Sequence, residues 1–68
     1  MNEKIKQLIT EYEQKLTEAK QYREQLKEEL KTQKGLAYRH TAEQKNIVTS
    51  HIITINNFLQ KLYDIKED

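Results

Sequence analysis

A single glycine divides a chain that contains no proline. Gly35 lies near the middle of the 68 residues, and apolar residues recur at three- and four-residue spacing on both sides of it. Such spacing places apolar side chains along one stripe of an amphipathic helix. Glycine is also the residue that most readily takes the left-handed conformation just after a helix ends. The sequence therefore predicts two helices joined by a turn near Gly35.

The first predicted helix covers about residues 2–34. Its apolar stripe consists of Ile5, Leu8, Tyr12, Leu16, Ala19, Tyr22, Leu26 and Leu30. Asn2 suits the N-cap position, where a side-chain oxygen accepts a hydrogen bond from a free backbone N–H group. Lys31 and Lys34 are placed to offset the negative end of the helix dipole.

The second half of the chain gives two conflicting signals. The segment from Ile47 to Ile55 is rich in β-branched residues, which favours a strand. Four- and three-residue steps favour a helix instead, and they are made by Val48, Ile52, Ile55, Leu59 and Leu62. We predict a helix over about residues 36–66. It begins directly after Gly35 or at Thr41, which forms a capping-box pattern with Gln44.

A tight turn at Gly35 sets the register of the predicted hairpin. It brings four apolar pairs to matching levels, namely Ile9 with Leu62, Tyr12 with Leu59, Leu16 with Ile55, and Ala19 with Ile52. The expected fold class is all-α, as a two-helix antiparallel hairpin within a single domain of residues 1–68. A continuous helix through Gly35 is the alternative, because glycine there costs only about 1 kcal/mol relative to alanine. That helix would form an extended coiled coil.

The chain is too short to enclose a large core by itself. It has no cysteine, so association with another copy is the remaining source of stability for so small a domain. Apolar residues crowd the last third of the chain, and one neighbouring helix cannot cover them all. We therefore predict a homodimer, as a two-fold four-helix bundle or a coiled-coil assembly. The predicted self-association residues are Ile5, Leu8, Ile9, Tyr12, Leu16, Val48, Ile52, Ile55, Phe58, Leu59, Leu62 and Ile65.

The region around the predicted turn is polar and slightly basic. This turn end, residues 27–45, contains the basic residues Lys27, Lys31, Lys34, Arg39 and Lys45 and the acidic residues Glu28, Glu29 and Glu43. Within it, the candidate partner-binding residues are Lys34, Leu36, Tyr38, Arg39 and His40. An aromatic side chain beside hydrogen-bond donors can bind an acidic protein or an RNA phosphate. The simpler interpretation is that Leu36 and Tyr38 close the end of the hairpin.

No pattern in the chain predicts catalysis or cofactor binding. Ser50 directly precedes His51, and adjacent helical residues point about 100° apart, so they do not face each other as nucleophile and base. His40 and Glu43 would share a helical face, but two ligands fall short of an ordinary metal site. The sequence therefore predicts no catalytic residue, no metal and no cofactor, and we expect the protein not to be an enzyme.

Charge and hydropathy narrow the expected location and partners. The net charge of +1 gives little attraction to nucleic acid, and no segment approaches the ~20 apolar residues of a membrane span. We expect a cytoplasmic protein without a signal peptide. The predicted function is that of a small self-associating regulator or inhibitor that binds another protein. The alternatives are a regulator that binds RNA or DNA through the basic turn end, and a structural scaffold or coiled-coil component.

Overall fold

The chain folds as two long helices that pack side by side in opposite directions. In the computed structural model, α1 spans Glu3–Leu30 and α2 spans Gly35–Glu67. The structure describes the backbone of residues 3–67 and the side chains of residues 3–66, so the predicted N-cap at Asn2 lies outside the described residues. The predicted all-α hairpin is confirmed, and the alternative of one continuous helix is wrong.

The turn between the helices covers residues 31–34. α1 ends at Leu30, four residues before the predicted end. The N–H groups of Lys31 and Thr32 donate to the carbonyls of Glu28 and Glu29, three residues earlier, at 3.2 Å. These shorter-range bonds satisfy carbonyls at the helix end while departing from α-helical geometry. Residues 31–34 are all polar and include no proline or glycine. The sequence therefore gave no signal that α1 ends at Leu30.

Gly35 is the first residue of α2 and has a left-handed backbone. Its φ is +68°. A residue with a β-carbon pays about 1–2 kcal/mol in this region, because the β-carbon approaches the following carbonyl oxygen. α2 therefore begins at Gly35 and not at the alternative position Thr41, which lies buried within the helix.

Gly35→Ala is expected to lower the melting temperature by roughly 4–8 °C, which corresponds to about 1 kcal/mol in a domain of this size. The backbone conformation causes the loss, because no side chain or backbone beyond the neighbouring residues and the first turns of α2 lies within 4 Å of the position that a β-carbon would take. Thermal unfolding followed by circular dichroism measures the effect. Gly35→Asn is the matched control and should lose less, since asparagine tolerates the left-handed region. A higher melting temperature for Gly35→Ala would indicate a continuous helix in solution.

The main core lies in the half of the hairpin that carries the chain ends. Its buried cluster consists of Ile9, Ile55, Leu59 and Leu62. Half-buried side chains pack around this cluster, namely Ile5, Tyr12, Leu16 and Tyr63. Leu59 is the most deeply buried side chain, with 1% of its surface exposed. The cluster and the side chains around it together include both members of three of the four predicted apolar pairs, namely Ile9 with Leu62, Tyr12 with Leu59, and Leu16 with Ile55.

The hairpin is a thin rod with a correspondingly thin core. It measures 51 × 14 × 13 Å and has a radius of gyration of 15.6 Å, whereas a compact domain of this length has a radius of gyration of about 11 Å. Its accessible surface is 5414 Å², compared with about 4500 Å² for a compact protein of the same mass. Two helices alone therefore leave much of the chain's surface uncovered.

Candidate interaction surfaces

One side of the rod carries large apolar residues from both helices. On α2 they follow one line, because Ile47, Phe58 and Ile65 are separated by 11 and 7 residues, which are close to whole numbers of turns. Two contacts join α1 to this line. The rings of Tyr12 and Phe58 meet edge to face, with centroids 4.8 Å apart. Nearer the turn lies a shallow groove of about 320 Å³, lined by Ala19, Tyr22, Gln44, Ile47, Val48 and His51.

We call this surface the apolar face and define it as Leu8, Tyr12, Ala19, Tyr22, Ile47, His51, Phe58 and Ile65. Most of its large side chains are exposed. The opposite edge of the rod is polar, with a depression lined by Lys6, Ile9, Thr10, Glu13, Tyr63 and Lys66. The hairpin is therefore amphipathic as a whole, with an apolar side that its own two helices do not cover.

The residues predicted for self-association divide into three groups in the structure. Five are buried between the helices of one chain, and these are Ile9, Ile52, Ile55, Leu59 and Leu62. Four are half-buried, and these are Ile5, Tyr12, Leu16 and Val48. Three are exposed, and these are Leu8, Phe58 and Ile65. Only part of the predicted set is thus open to another molecule, and the exposed set also includes Tyr22 and Ile47, which the prediction left out.

The polar edge contains a hydrogen bond that links the two helices. The Tyr63 hydroxyl donates to Oε2 of Glu13 at 2.6 Å, across 50 residues of sequence. This hydrogen bond, with smaller contributions from desolvation and from the carboxylate charge, raises the pKa of Tyr63 above its ordinary value. Because the neutral phenol is the form that donates, the contact contributes to stability below the ordinary tyrosine pKa and is lost as the pH rises through the raised pKa.

Glu13→Gln is expected to bring the pKa of Tyr63 back toward the ordinary value of 10.0, because the charged acceptor is removed. An NMR titration of ¹³C-labelled tyrosines follows each ring separately. Glu11→Gln is the matched control, since it removes a carboxylate two positions away that is not bonded to Tyr63 among the described residues. An unchanged Tyr63 titration in Glu13→Gln would show that the two side chains do not meet in solution.

All five candidate partner-binding residues at the turn end are exposed. Leu36 is 81% exposed and Tyr38 is 47% exposed, so the interpretation that they close the end of the hairpin is wrong. Leu36 and His40 are four residues apart and share one side of α2, whereas Tyr38 lies on another side. The structure therefore brings together only part of the predicted cluster.

The charges of the turn end fall into paired and unpaired groups. Lys27 lies 3.2 Å from Glu24, and Lys31 lies 3.0 Å from Glu28. Within residues 3–66, no carboxylate lies within ion-pair distance of Lys34 or Arg39. The first turn of α2 also contains no acidic residue, so the positive end of its helix dipole adds to these two charges. The start of α2 is thus an exposed, locally positive surface around Leu36.

The residues considered for chemistry lie at exposed positions of α2. Ser50 and His51 are adjacent on exposed turns of α2, and His51 lines the groove of the apolar face. In the described part of the chain, no three His, Asp or Glu side chains are grouped as metal ligands would be. Neither described helix is long and apolar enough to cross a membrane.

Comparisons with known proteins add no family to these observations. The chain matches no protein-family model, no curated protein and no solved structure. A functional interpretation therefore depends on the two surfaces that the hairpin presents, the apolar face and the turn end.

Proposed function

We propose that this protein is a small non-enzymatic regulator or inhibitor that self-associates through the apolar face and binds another protein at its turn end. The observation that supports this best is the apolar face itself, which runs from Leu8 and Ile65 near the chain ends to Ile47. Several large, exposed apolar side chains on one side of a protein often mark a binding site.

The dimensions of the apolar face suit a second copy of the hairpin. One side of the rod measures 51 by 14 Å, a projected area of about 700 Å², and a standard interface covers about 800 Å² on each partner. A second hairpin has a face of the same length, width and chemistry. Covering one face with the other would also give each chain the larger shared core that its own 68 residues do not provide.

The turn end is suited to bind a different protein, and not a second copy of the hairpin. Leu36 offers an apolar side chain with almost no neighbours, and Lys34 and Arg39 offer positive charges without a carboxylate partner among the described residues. An acidic protein segment with an apolar side chain would complement all three. A nucleic acid would use the charges but would leave Leu36 unused, and Lys27 and Lys31 are already paired. These observations favour a protein over RNA or DNA.

Sedimentation equilibrium of the purified chain tests the proposed self-association. The expected result is a species of twice the chain mass of 8.2 kDa. A mass of one chain across the micromolar range would contradict the proposal. Growth beyond a dimer with concentration would instead favour the scaffold alternative, because a repeated open face produces larger assemblies.

Affinity capture from the native cells, followed by mass spectrometry, tests the proposed partner. A protein partner should survive nuclease treatment and should be lost with Arg39→Glu, which reverses a charge beside Leu36. Lys20→Glu is the matched control, because it reverses an exposed charge on α1 away from the turn end. Capture that disappears with nuclease would indicate nucleic acid instead, and equal capture by both variants would exclude the turn end as the docking surface.

A further inference from the structure

We propose that the α2 helices of two copies pack against each other along the centre of the assembly, with the two α1 helices on its outside. This inference rests on the proposed self-association and identifies the helix that forms the contact. It holds whether the two rods point in the same direction or in opposite directions. The observation behind it is the unequal distribution of charge between α1 and α2.

α2 has a long stretch without any charged residue. Residues 46–60 contain no Asp, Glu, Lys or Arg, and a stretch of this length makes about four helical turns. By contrast, 13 of the 28 residues of α1 are charged. A helix surface that stays in water normally carries charged side chains, whereas the centres of protein interfaces are depleted of them. Residues 46–60 therefore have the composition of a helix that neighbours cover on more than one side.

Most of the α2 side of the apolar face lies within this stretch. His51, Phe58 and Ile65 follow one line, because they are separated by seven residues, which is almost two full turns. Ile47 and Thr54 form a second line beside it with the same spacing, and all five side chains are exposed. The Thr54 hydroxyl donates to a carbonyl of its own helix at 3.1 Å, so a second helix can cover it without leaving an unsatisfied donor. The α2 side thus presents two uncharged lines to a neighbouring helix.

The α1 side of the apolar face is interrupted by charges. Leu8, Lys15 and Tyr22 follow one line at seven-residue steps, so a lysine separates the two apolar side chains. The Lys15 ammonium lies 5.8 Å from the centre of the Tyr12 ring, and Lys15 and Glu18 both line a depression beside Tyr22. Taking these exposed charges out of water costs free energy unless a partner charge meets each of them. They suit the rim of an interface, where charged groups stay hydrated.

The α2 side is large enough to form the centre of a specific interface. A strip as long as the rod, 51 Å, and as wide as one helix, about 10 Å, covers roughly 500 Å² on each copy. A specific interface buries at least about 1000 Å² in total. The rings of Tyr12 and Tyr22 lie next to the strip, since Tyr12 contacts Phe58 and Tyr22 shares a groove with Ile47. They add covered area at its α1 edge.

Distances between spin labels on the two chains test which helices meet. The chain has no cysteine, so Ser50→Cys on α2 and Glu18→Cys on α1 each allow one label per chain. Both positions are exposed and lie near the middle of their helices, so neither direction of association separates the labels far along the rod. Axes of helices in contact are about 8–10 Å apart, so we expect a distance of roughly 15–30 Å between labels at position 50 and one at least about 10 Å longer at position 18.

The outcomes separate this inference from the proposed self-association. A clearly longer distance at position 18 than at position 50 supports packing of α2 against α2. Loss of association when position 50 is labelled, but not when position 18 is labelled, supports it as well. Equal distances, or a shorter distance at position 18, with a dimer mass would overturn the packing and leave self-association intact. A monomer mass for the unlabelled chain would overturn both.

Discussion

Leu59→Ala is expected to remove a large part of the stability of the hairpin. Leu59 is 1% exposed and belongs to the buried cluster that joins the helices. Truncating a buried leucine costs about 2–5 kcal/mol, because apolar contacts are lost and a cavity remains. A domain of 68 residues has a total stability of only about 3–10 kcal/mol. The melting temperature should therefore fall by roughly 10 °C or more.

Chemical and thermal unfolding at one fixed protein concentration measure this loss. Ile53→Ala is the matched control, because Ile53 lies on the same helix but is 56% exposed. It should change the stability by no more than about 0.5 kcal/mol, as surface substitutions usually do. If the two variants unfolded alike, Leu59 would not lie at the centre of the core.

The fold could be predicted because its two controlling signals are local. Gly35 is the only glycine in the sequence, and it has a positive φ, which glycine adopts more readily than other residues. The four- and three-residue spacing of Ile55, Leu59 and Leu62 predicted a helix, although the β-branched residues around them favoured a strand. Ile55, Leu59 and Leu62 are buried in the structure. The end of α1 could not be predicted, because residues 31–34 are polar and helix-compatible and only backbone hydrogen bonds mark the change.

The interaction surfaces were harder to predict from spacing. The spacing of apolar residues shows which side of a helix is apolar. When that side is wide, spacing does not distinguish the side chains that pack in the core from those that stay exposed. Phe58 and Leu59 are adjacent in sequence, yet only Leu59 is fully buried. Leu36 illustrates the same difficulty, since it lies five residues before buried Thr41 and therefore about 140° around the helix. Whether such a side chain is buried or exposed depends on the exact rotation of α2 about its own axis relative to α1.

Ile47→Glu is expected to abolish self-association while the hairpin stays folded. Ile47 lies in the groove of the apolar face and is 59% exposed in the single chain. A carboxylate there remains hydrated in the free hairpin, but a second copy on the apolar face would remove it from water in a groove lined mainly by apolar side chains. We expect the dissociation constant to rise at least 100-fold, or about 2.7 kcal/mol.

Ile53→Glu is the control that makes this result specific to the apolar face. Ile53 has the same side chain and nearly the same exposure, 56%, but it stands six residues later and so roughly 240° around the helix. Sedimentation equilibrium should show single chains for Ile47→Glu and dimers for Ile53→Glu, with equal helix content by circular dichroism. Equal association by both variants would mean that hydrophobicity in general, and not the apolar face, holds the copies together. Loss of association only with Ile47→Glu would show that the uncovered side of a thin hairpin is its interface, because the two substitutions differ in position alone.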